Sequence, residues 1–506
     1  MQSKPQSLPG TREGIFMSTM VELPLWLVLL ATVPACIGLI DRLLMPTVRW
    51  FFRARINRAI DELNARLRLR IQPFKLTQRA SLVDRLIYDQ ELIKAARAHA
   101  EAAGEPYAVT MARVQTYARE IVPTFNAYAY FKIGARAARW LSTLLYRVRL
   151  GYSDDEGLKK IDPDSTVIFV MNHRSNMDYV LVTYMASASS ALSYAVGEWA
   201  RVFPLQNIIR SMGAYFIRRD SGDPLYRKVL ARYVQLSTAE GVTQAMFPEG
   251  GLTRDGALRP AKLGLLSYLV ARFDPEAERD VVFVPVGLNY DRVLEDRNLT
   301  ASIAKEAGMP NQRVRGFRLA KYVGRAIRLS FSRRWYRYGY AAVSFGAPVS
   351  LREWTAREKI DFRKLDDETR FAAVGKLGED LMAGVGRVIP VLPVVLLATV
   401  FRQAGADALS EIELKSRTEA LMEALTAKGV HVHLPRGDRD YAVSAGLRML
   451  TMRRLVLEQG GLFTANPKEA VLIAYYANSI GHHVAGLDGE QVIGATAALP
   501  SGAHVS

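Results

Sequence analysis

The chain is 506 residues long, with 49% hydrophobic residues, a single cysteine and a formal net charge of +17. That length allows a large core and more than one domain, and the apolar fraction is that of an ordinary globular protein. The lone Cys36 excludes an intrachain disulfide and a cysteine-built zinc site, while the charge calls for anionic partners: phosphate esters, a membrane surface, an acidic carrier or nucleic acid.

Residues 1–20 are polar and read as disordered. Residues 23–40, "LPLWLVLLATVPACIGLI", carry no charge; as a helix rising ~1.5 Å per residue they would span ~27 Å, close to a bilayer core. Arg42, Arg49, Arg53, Arg55 and Arg58 follow, which favours a cytoplasmic downstream side. We therefore read 21–41 as a membrane anchor that spans or, given Pro24 and Pro34, lies on the bilayer. The expected location is the cell (inner) membrane. Residues 42–150 are rich in helix formers with three- and four-residue apolar spacing, such as Leu82, Leu86 and Ile93, and are expected to be helical.

From 165 the period changes. "STVIFVMNH", "LSYAVG", "GAYFIRR", "TQAMFPEGG", "DVVFVPVGLNY" and "YGYAAVSFGAPVSL" read as short strands, separated by helix-like stretches such as "DPLYRKVLARYVQLSTAEG". The alternation predicts α/β layers over 151–350, with polar motifs at strand ends, where such folds place their sites. Residues 351–485 read as a helical C-terminal domain in which "VIPVLPVVLLATVF" (388–401) is a buried helix. Residues 486–506, rich in Gly, Ala and Ser, are expected to be a loose tail. His431 and His433 lack a carboxylate cluster, so we read them as surface histidines and expect no metal.

Four stretches carry chemistry. In "NHRSNMDY" (172–179), His173 is suited to take a proton near neutral pH if Asp178 fixes its tautomer. Five residues along one helix would put the two about 140° apart. The pair therefore works only with His173 in a turn and Asp178 in the first helical turn after it. In "MGAYFIRRD", Arg218 and Arg219 end a strand and match phosphate oxygens, or simply form a basic strand end. In "FPEGGLTRDGALRPAKLG" (247–264), Gly250 and Gly251 allow close backbone approach to a ligand, Arg254 and Lys262 are cations, and Glu249 can accept from a polyol hydroxyl. In "FVPVGLNYDRV", Pro285 inside a strand marks an edge or bulge and can shape an apolar wall.

In this order and at these separations, the four stretches resemble the four motif blocks of the glycerolipid acyltransferases, and most resemble the bacterial glycerol-3-phosphate and dihydroxyacetone-phosphate acyltransferases. "YYANSIGHH" (475–483) is similar to that family's late "YY-N" segment. The resemblance implies an α/β acyltransferase core with a mixed sheet over 151–350, flanked by helical N- and C-terminal regions. It implies acyl transfer from acyl-CoA or an acyl-carrier protein to the sn-1 hydroxyl of glycerol 3-phosphate, with no further cofactor. His173 would be the base and Asp178 its partner. Arg218, Arg219, Arg254 and Lys262 would meet the acceptor phosphate, Glu249, Gly250 and Gly251 would border the glycerol, and Arg174 and Ser175 would add contacts. Leu252 stands where the family usually has arginine, which leaves dihydroxyacetone phosphate or a lysophospholipid as alternative acceptors. A non-catalytic lipid-binding relative is a further alternative. Residues 311–340 hold nine basic and no acidic residues with Phe317, Tyr322, Trp335 and Tyr336 interleaved. Beside the anchor, this favours anionic headgroups or an acidic carrier over nucleic acid.

Overall fold

The computed structural model describes residues 71–187, 191–197, 205–218, 222–277, 279–306, 338–485 and 487. The expected anchor, the start of the helical region, Arg219, residues 311–337 of the basic stretch and the tail apart from 487 lie outside the described residues.

An eight-stranded sheet forms the centre, in the order β1–β7–β6–β2–β5–β3–β4 with β8 also on β6. Its strands are β1 (Arg147–Ser153), β2 (Thr166–Met171), β3 (Ser193–Gly197), β4 (Tyr215–Ile217), β5 (Gln244–Met246), β6 (Val281–Tyr290), β7 (Tyr340–Phe345) and β8 (Val349–Ser350). β7 and β8 run antiparallel to β6; every other pairing is parallel. The α/β layering is what the strand–helix alternation predicts, and the mixed pairing is what the acyltransferase resemblance implies.

The helices around it are α1 (Gln90–Ala103), α2 (Tyr107–Ile121), α3 (Ala135–Leu145), α4 (Met177–Ala186), α5 (Pro224–Ala239), α6 (Leu263–Val270), α7 (Asp367–Val388), α8 (Pro393–Ala404), α9 (Glu411–Ala427), α10 (Arg439–Met452) and α11 (Ala470–Ala477). β2 shows why its sequence is apolar throughout. Val167, Phe169 and Met171 enter one core with α3, α4, α8 and α11, while Ile168 and Val170 enter the other with α1, α2, α5, α6 and α7. An interior parallel strand covered on both faces has no solvent side to make polar.

Only part of the run 388–401 is the expected buried helix: Val388 ends α7, residues 389–392 are not helical, and α8 starts on Pro393, whose missing N–H costs nothing at a first helical position, with every residue from Pro393 to Phe401 buried. The C-terminal part is not wholly helical. β9 (Leu409–Ser410), β10 (Val456–Gln459) and β11 (Leu462–Ala465) form a small antiparallel sheet. β10 and β11 are joined at Gly460 and Gly461, with φ of 59° and 79°. A Gly-Gly pair at positive φ is the turn that suits the twist of a hairpin. Residues 391–480 share the core built on β2 and β6.

Candidate active site

β2 ends at Met171, and Asn172 carries its pairing one step further: its amide donates to the Leu288 carbonyl at 2.9 Å and accepts from the Leu288 N–H at 2.8 Å. The chain then turns through His173–Asn176 into α4, with Asp178 in the first helical turn. His173 Nδ1 lies 2.9 Å from Asp178 Oδ2, the two side chains being 2% and 0% exposed. The same oxygen accepts the backbone N–H groups of Arg174 at 2.7 Å and Ser175 at 3.0 Å. Oδ1 accepts from the Tyr290 hydroxyl at 2.6 Å. Burial, and then the neighbouring Asp178 charge, push the Tyr290 phenol well up, so it stays protonated and donates.

A carboxylate taking four donors at a helix N-terminus is an acceptor only, so Nδ1 carries the hydrogen and Nε2 is left as the basic nitrogen. Nε2 makes no hydrogen bond among the described residues. The imidazole stacks on Phe247 at 4.1 Å and meets Tyr179 edge-on at 5.5 Å.

The third block is tied to this turn through the backbone. Glu249 Oε1 accepts the His173 N–H at 2.9 Å, and the Thr253 N–H donates to the His173 carbonyl at 3.1 Å. Glu249 is buried, and burial pushes its carboxyl up to about 7 against the hydrogen bond from His173 and the Arg174 charge. Gly250 has φ 69°, and a Cβ there would sit 2.6 Å from Lys262 Cδ; the lysine stem therefore lies across the glycine. Gly251 beside it is half-buried. Arg254 and Lys262 are exposed and form no ion pair among the described residues.

Other expected site residues are held differently. Arg218 Nε and Nη2 bind Glu120 of α2 at 2.9 and 2.6 Å, and the guanidinium stacks on Tyr117 and Tyr226. Ser175 is fully buried, and its hydroxyl donates to Glu295 at 2.7 Å, beside the Asn176 amide. Arg174 is 2% exposed; its Nη1 donates to the Gly256 carbonyl at 2.7 Å and its guanidinium lies 4.9 Å from the Tyr475 ring. Pro285 packs toward α7, where a Cβ on Gly384 would sit 3.0 Å from its ring.

The sequence reading passed over Tyr290, Glu295 and Tyr475. Tyr290 closes the fourth block, five residues beyond Pro285, the residue that the strand-breaking signal marks. Tyr475 opens the late "YYANSIGHH" segment, and no local signal marks Glu295.

Residues 153–289 match the acyltransferase family, and residues 325–486 match the glycerol-3-phosphate acyltransferase C-terminal region. The first match lies on the stretch that holds the four blocks and the second on the C-terminal part, and both agree in kind with the resemblance that the blocks carry. It is 27% identical over 383 residues to the glycerol-3-phosphate acyltransferase of Pseudomonas syringae pv. syringae, covering 73% of this chain and 44% of that one. It is also 27% identical over 419 residues to that of Aeromonas hydrophila subsp. hydrophila, covering 81% and 50%. The chain therefore spans about half the length of the curated relatives it matches. The crystal structure of the 1-acyl-sn-glycerophosphate (LPA) acyltransferase, PlsC, from Thermotoga maritima aligns with a TM-score of 0.28 at 20% identity, covering 49% of this chain and 78% of that one.

Proposed function

We propose that the protein is an O-acyltransferase that moves a fatty acyl group from a thioester to the sn-1 hydroxyl of glycerol 3-phosphate, giving lysophosphatidate and a free thiol. One observation carries the reading: Asp178 and its four donors fix His173 with Nδ1 protonated and Nε2 without a hydrogen-bond partner among the described residues. An alcohol is a weak nucleophile at neutral pH, and Nε2 takes its proton as oxygen attacks the thioester carbon. The tetrahedral intermediate collapses with C–S cleavage, and the imidazolium returns the proton to the departing sulfur. Such base catalysis contributes ~10²–10⁴ in rate.

The named relatives support glycerol 3-phosphate as acceptor. Arg254 and Lys262, the two exposed cations of the loop bound to His173, suit a phosphate carrying about −1.5 to −2 charge. Coenzyme A and an acyl-carrier protein both fit a donor role on a chain of this charge. The uncharged run 23–40 supports attachment to the cell membrane with the catalytic residues on the cytoplasmic side. Leu252 favours a second reading, in which dihydroxyacetone phosphate is the acceptor.

The test is transfer from radiolabelled palmitoyl-CoA or palmitoyl-acyl-carrier protein in detergent, with glycerol 3-phosphate and dihydroxyacetone phosphate as parallel acceptors. Labelled lysophosphatidate from the parent, lost in His173→Ala, is the expected result. Product from dihydroxyacetone phosphate alone selects the second reading. An alanine variant as active as the parent removes His173 from the mechanism.

A further inference from the structure

The segment that brings Tyr475 to the catalytic turn ends in His482 and His483, and these two side chains line a groove that the reaction above does not use. A cavity of about 570 Å³ lies on the α7 side of the sheet and takes in Pro285, Arg387, Lys428, His482 and His483. A second, of about 450 Å³, shares Arg387, His482 and His483 and reaches Arg259. Among the described residues the larger cavity has no acidic lining residue, and the smaller has one, Glu379. His173, Asp178, Arg254 and Lys262 line neither.

The polar groups of the groove are unevenly satisfied. Arg387 is exposed and forms no ion pair among the described residues. Among the described residues Lys428 Nζ has one acceptor, the Ala485 carbonyl at 3.3 Å, which leaves two of its three hydrogens for a ligand. His482 Nε2 lies 3.0 Å from the Gly386 carbonyl. His483 is 8% exposed, and its Nε2 is buried without a hydrogen-bond partner among the described residues. An orphaned polar atom of this kind calls for an explanation, and a role in holding a ligand supplies one. Pro285, Pro348 and Val349 give the lining an apolar part beside the cations Arg387 and Lys428.

We propose that this groove binds a phosphate ester with an apolar arm, Arg387 and Lys428 meeting the phosphate, the arm lying along Pro285, and His483 Nε2, whose ring already donates to the Ile389 backbone from its other nitrogen, accepting a hydrogen from the ligand's arm or protonated phosphate oxygen. Two sources carry that chemistry: the phosphopantetheine-bearing carrier of a thioester, and a lipid phosphate. Binding requires no turnover, so the site stands or falls apart from the acyl-transfer reading.

The test is calorimetric titration of the full chain in detergent with coenzyme A and, separately, with dihexanoylphosphatidate. The parent is compared with Arg387→Glu/Lys428→Glu, with His173→Ala, and with Arg357→Glu/Lys364→Glu as a charge-matched change on exposed residues elsewhere. The groove variant is expected to raise Kd for at least one ligand tenfold or more, with the other two variants unchanged. Weakening confined to coenzyme A identifies the carrier as the source, and weakening confined to phosphatidate identifies lipid; either supports the site. No binding by the parent, or equal weakening by the control pair, overturns it.

Discussion

Tyr290, the last residue of β6, donates to Asp178 Oδ1 at 2.6 Å from a position 112 residues further along the chain. It closes the set of donors that keeps Asp178 an acceptor and His173 Nδ1 protonated. Tyr290→Phe keeps the ring and removes the hydroxyl, leaving a buried carboxylate oxygen short of its donor. Hydrogen bonds to charged groups contribute ~1.5–3 kcal/mol, so the variant should unfold at lower denaturant concentration by about that amount. Because Tyr290 acts through Asp178, kcat should fall about tenfold with KM for both substrates nearly unchanged. A variant with lowered stability and parental kcat would reduce Tyr290 to a packing residue.

The cations divide by their surroundings. Arg254→Ala and Lys262→Ala should each raise KM for glycerol 3-phosphate about 10–100-fold, the loss of a charge-assisted hydrogen bond of ~1.5–3 kcal/mol. Arg218→Ala should instead act on stability, since its guanidinium is paired with Glu120. At 34% side-chain exposure that pair contributes ~1 kcal/mol or less. Steady-state kinetics against acceptor concentration, run beside thermal melts, separate the two. An unchanged acceptor KM in both loop variants would remove the phosphate role from this loop.

The C-terminal region holds the catalytic turn from behind. Arg174 binds the Gly256 carbonyl and faces the Tyr475 ring, while Asn478 donates to the Asp255 carbonyl at 2.8 Å. Gly256 has φ 86°, and a Cβ on it would sit 1.8 Å from the Tyr475 carbonyl oxygen. Gly256→Ala should therefore cost about 3 kcal/mol or more from strained backbone and overlap together. Tyr475→Phe keeps the face presented to Arg174 and should melt close to the parent, whereas Tyr475→Leu should lose ~2 kcal/mol with that desolvated contact. Equal melting of the Phe and Leu variants would show that the ring face contributes nothing.

The parts of the site that were legible in the sequence are the local ones. His173 and Asp178 sit five residues apart across one strand–turn–helix, and that spacing has a single productive arrangement. The 388–401 run announced a buried helix because it is apolar on all sides and begins its helix with proline. Tyr290, Glu295 and Glu120 were hidden for the opposite reason. They meet Asp178, Ser175 and Arg218 over separations of 112, 120 and 98 residues, which the fold alone creates. Arg218 and Arg254 look equally basic in a sequence, and only the position of Glu120 distinguishes them. Gly460-Gly461 between two short apolar runs is also a turn signal, and it marks the β10–β11 hairpin that the expectation of a helical domain over 351–485 does not include.

Glu249 links the catalytic turn to pH. Its carboxyl is raised to about 7, against about 4.3 for an unperturbed glutamate, chiefly by burial. A carboxyl raised in the folded state holds its proton where the unfolded chain has lost it. Stability therefore falls as pH rises from about 4.3 to about 7 and levels off above that. Over the gap of about 2.7 units, at 1.36 kcal/mol per unit, the full effect is ~3.7 kcal/mol. Glu249→Gln keeps a carbonyl oxygen to accept the His173 N–H and cannot ionise. Asp291, raised to about 6 by burial, titrates in the same window but does so in both proteins, so it cancels in their difference. Denaturant unfolding of parent and variant at pH 4.5, 6, 7 and 8 should show the variant gaining ~3 kcal/mol on the parent between pH 4.5 and 7, with only a few tenths more by pH 8. A difference that stays constant from pH 4.5 to 8 would mean that Glu249 titrates normally and that burial does not govern its charge.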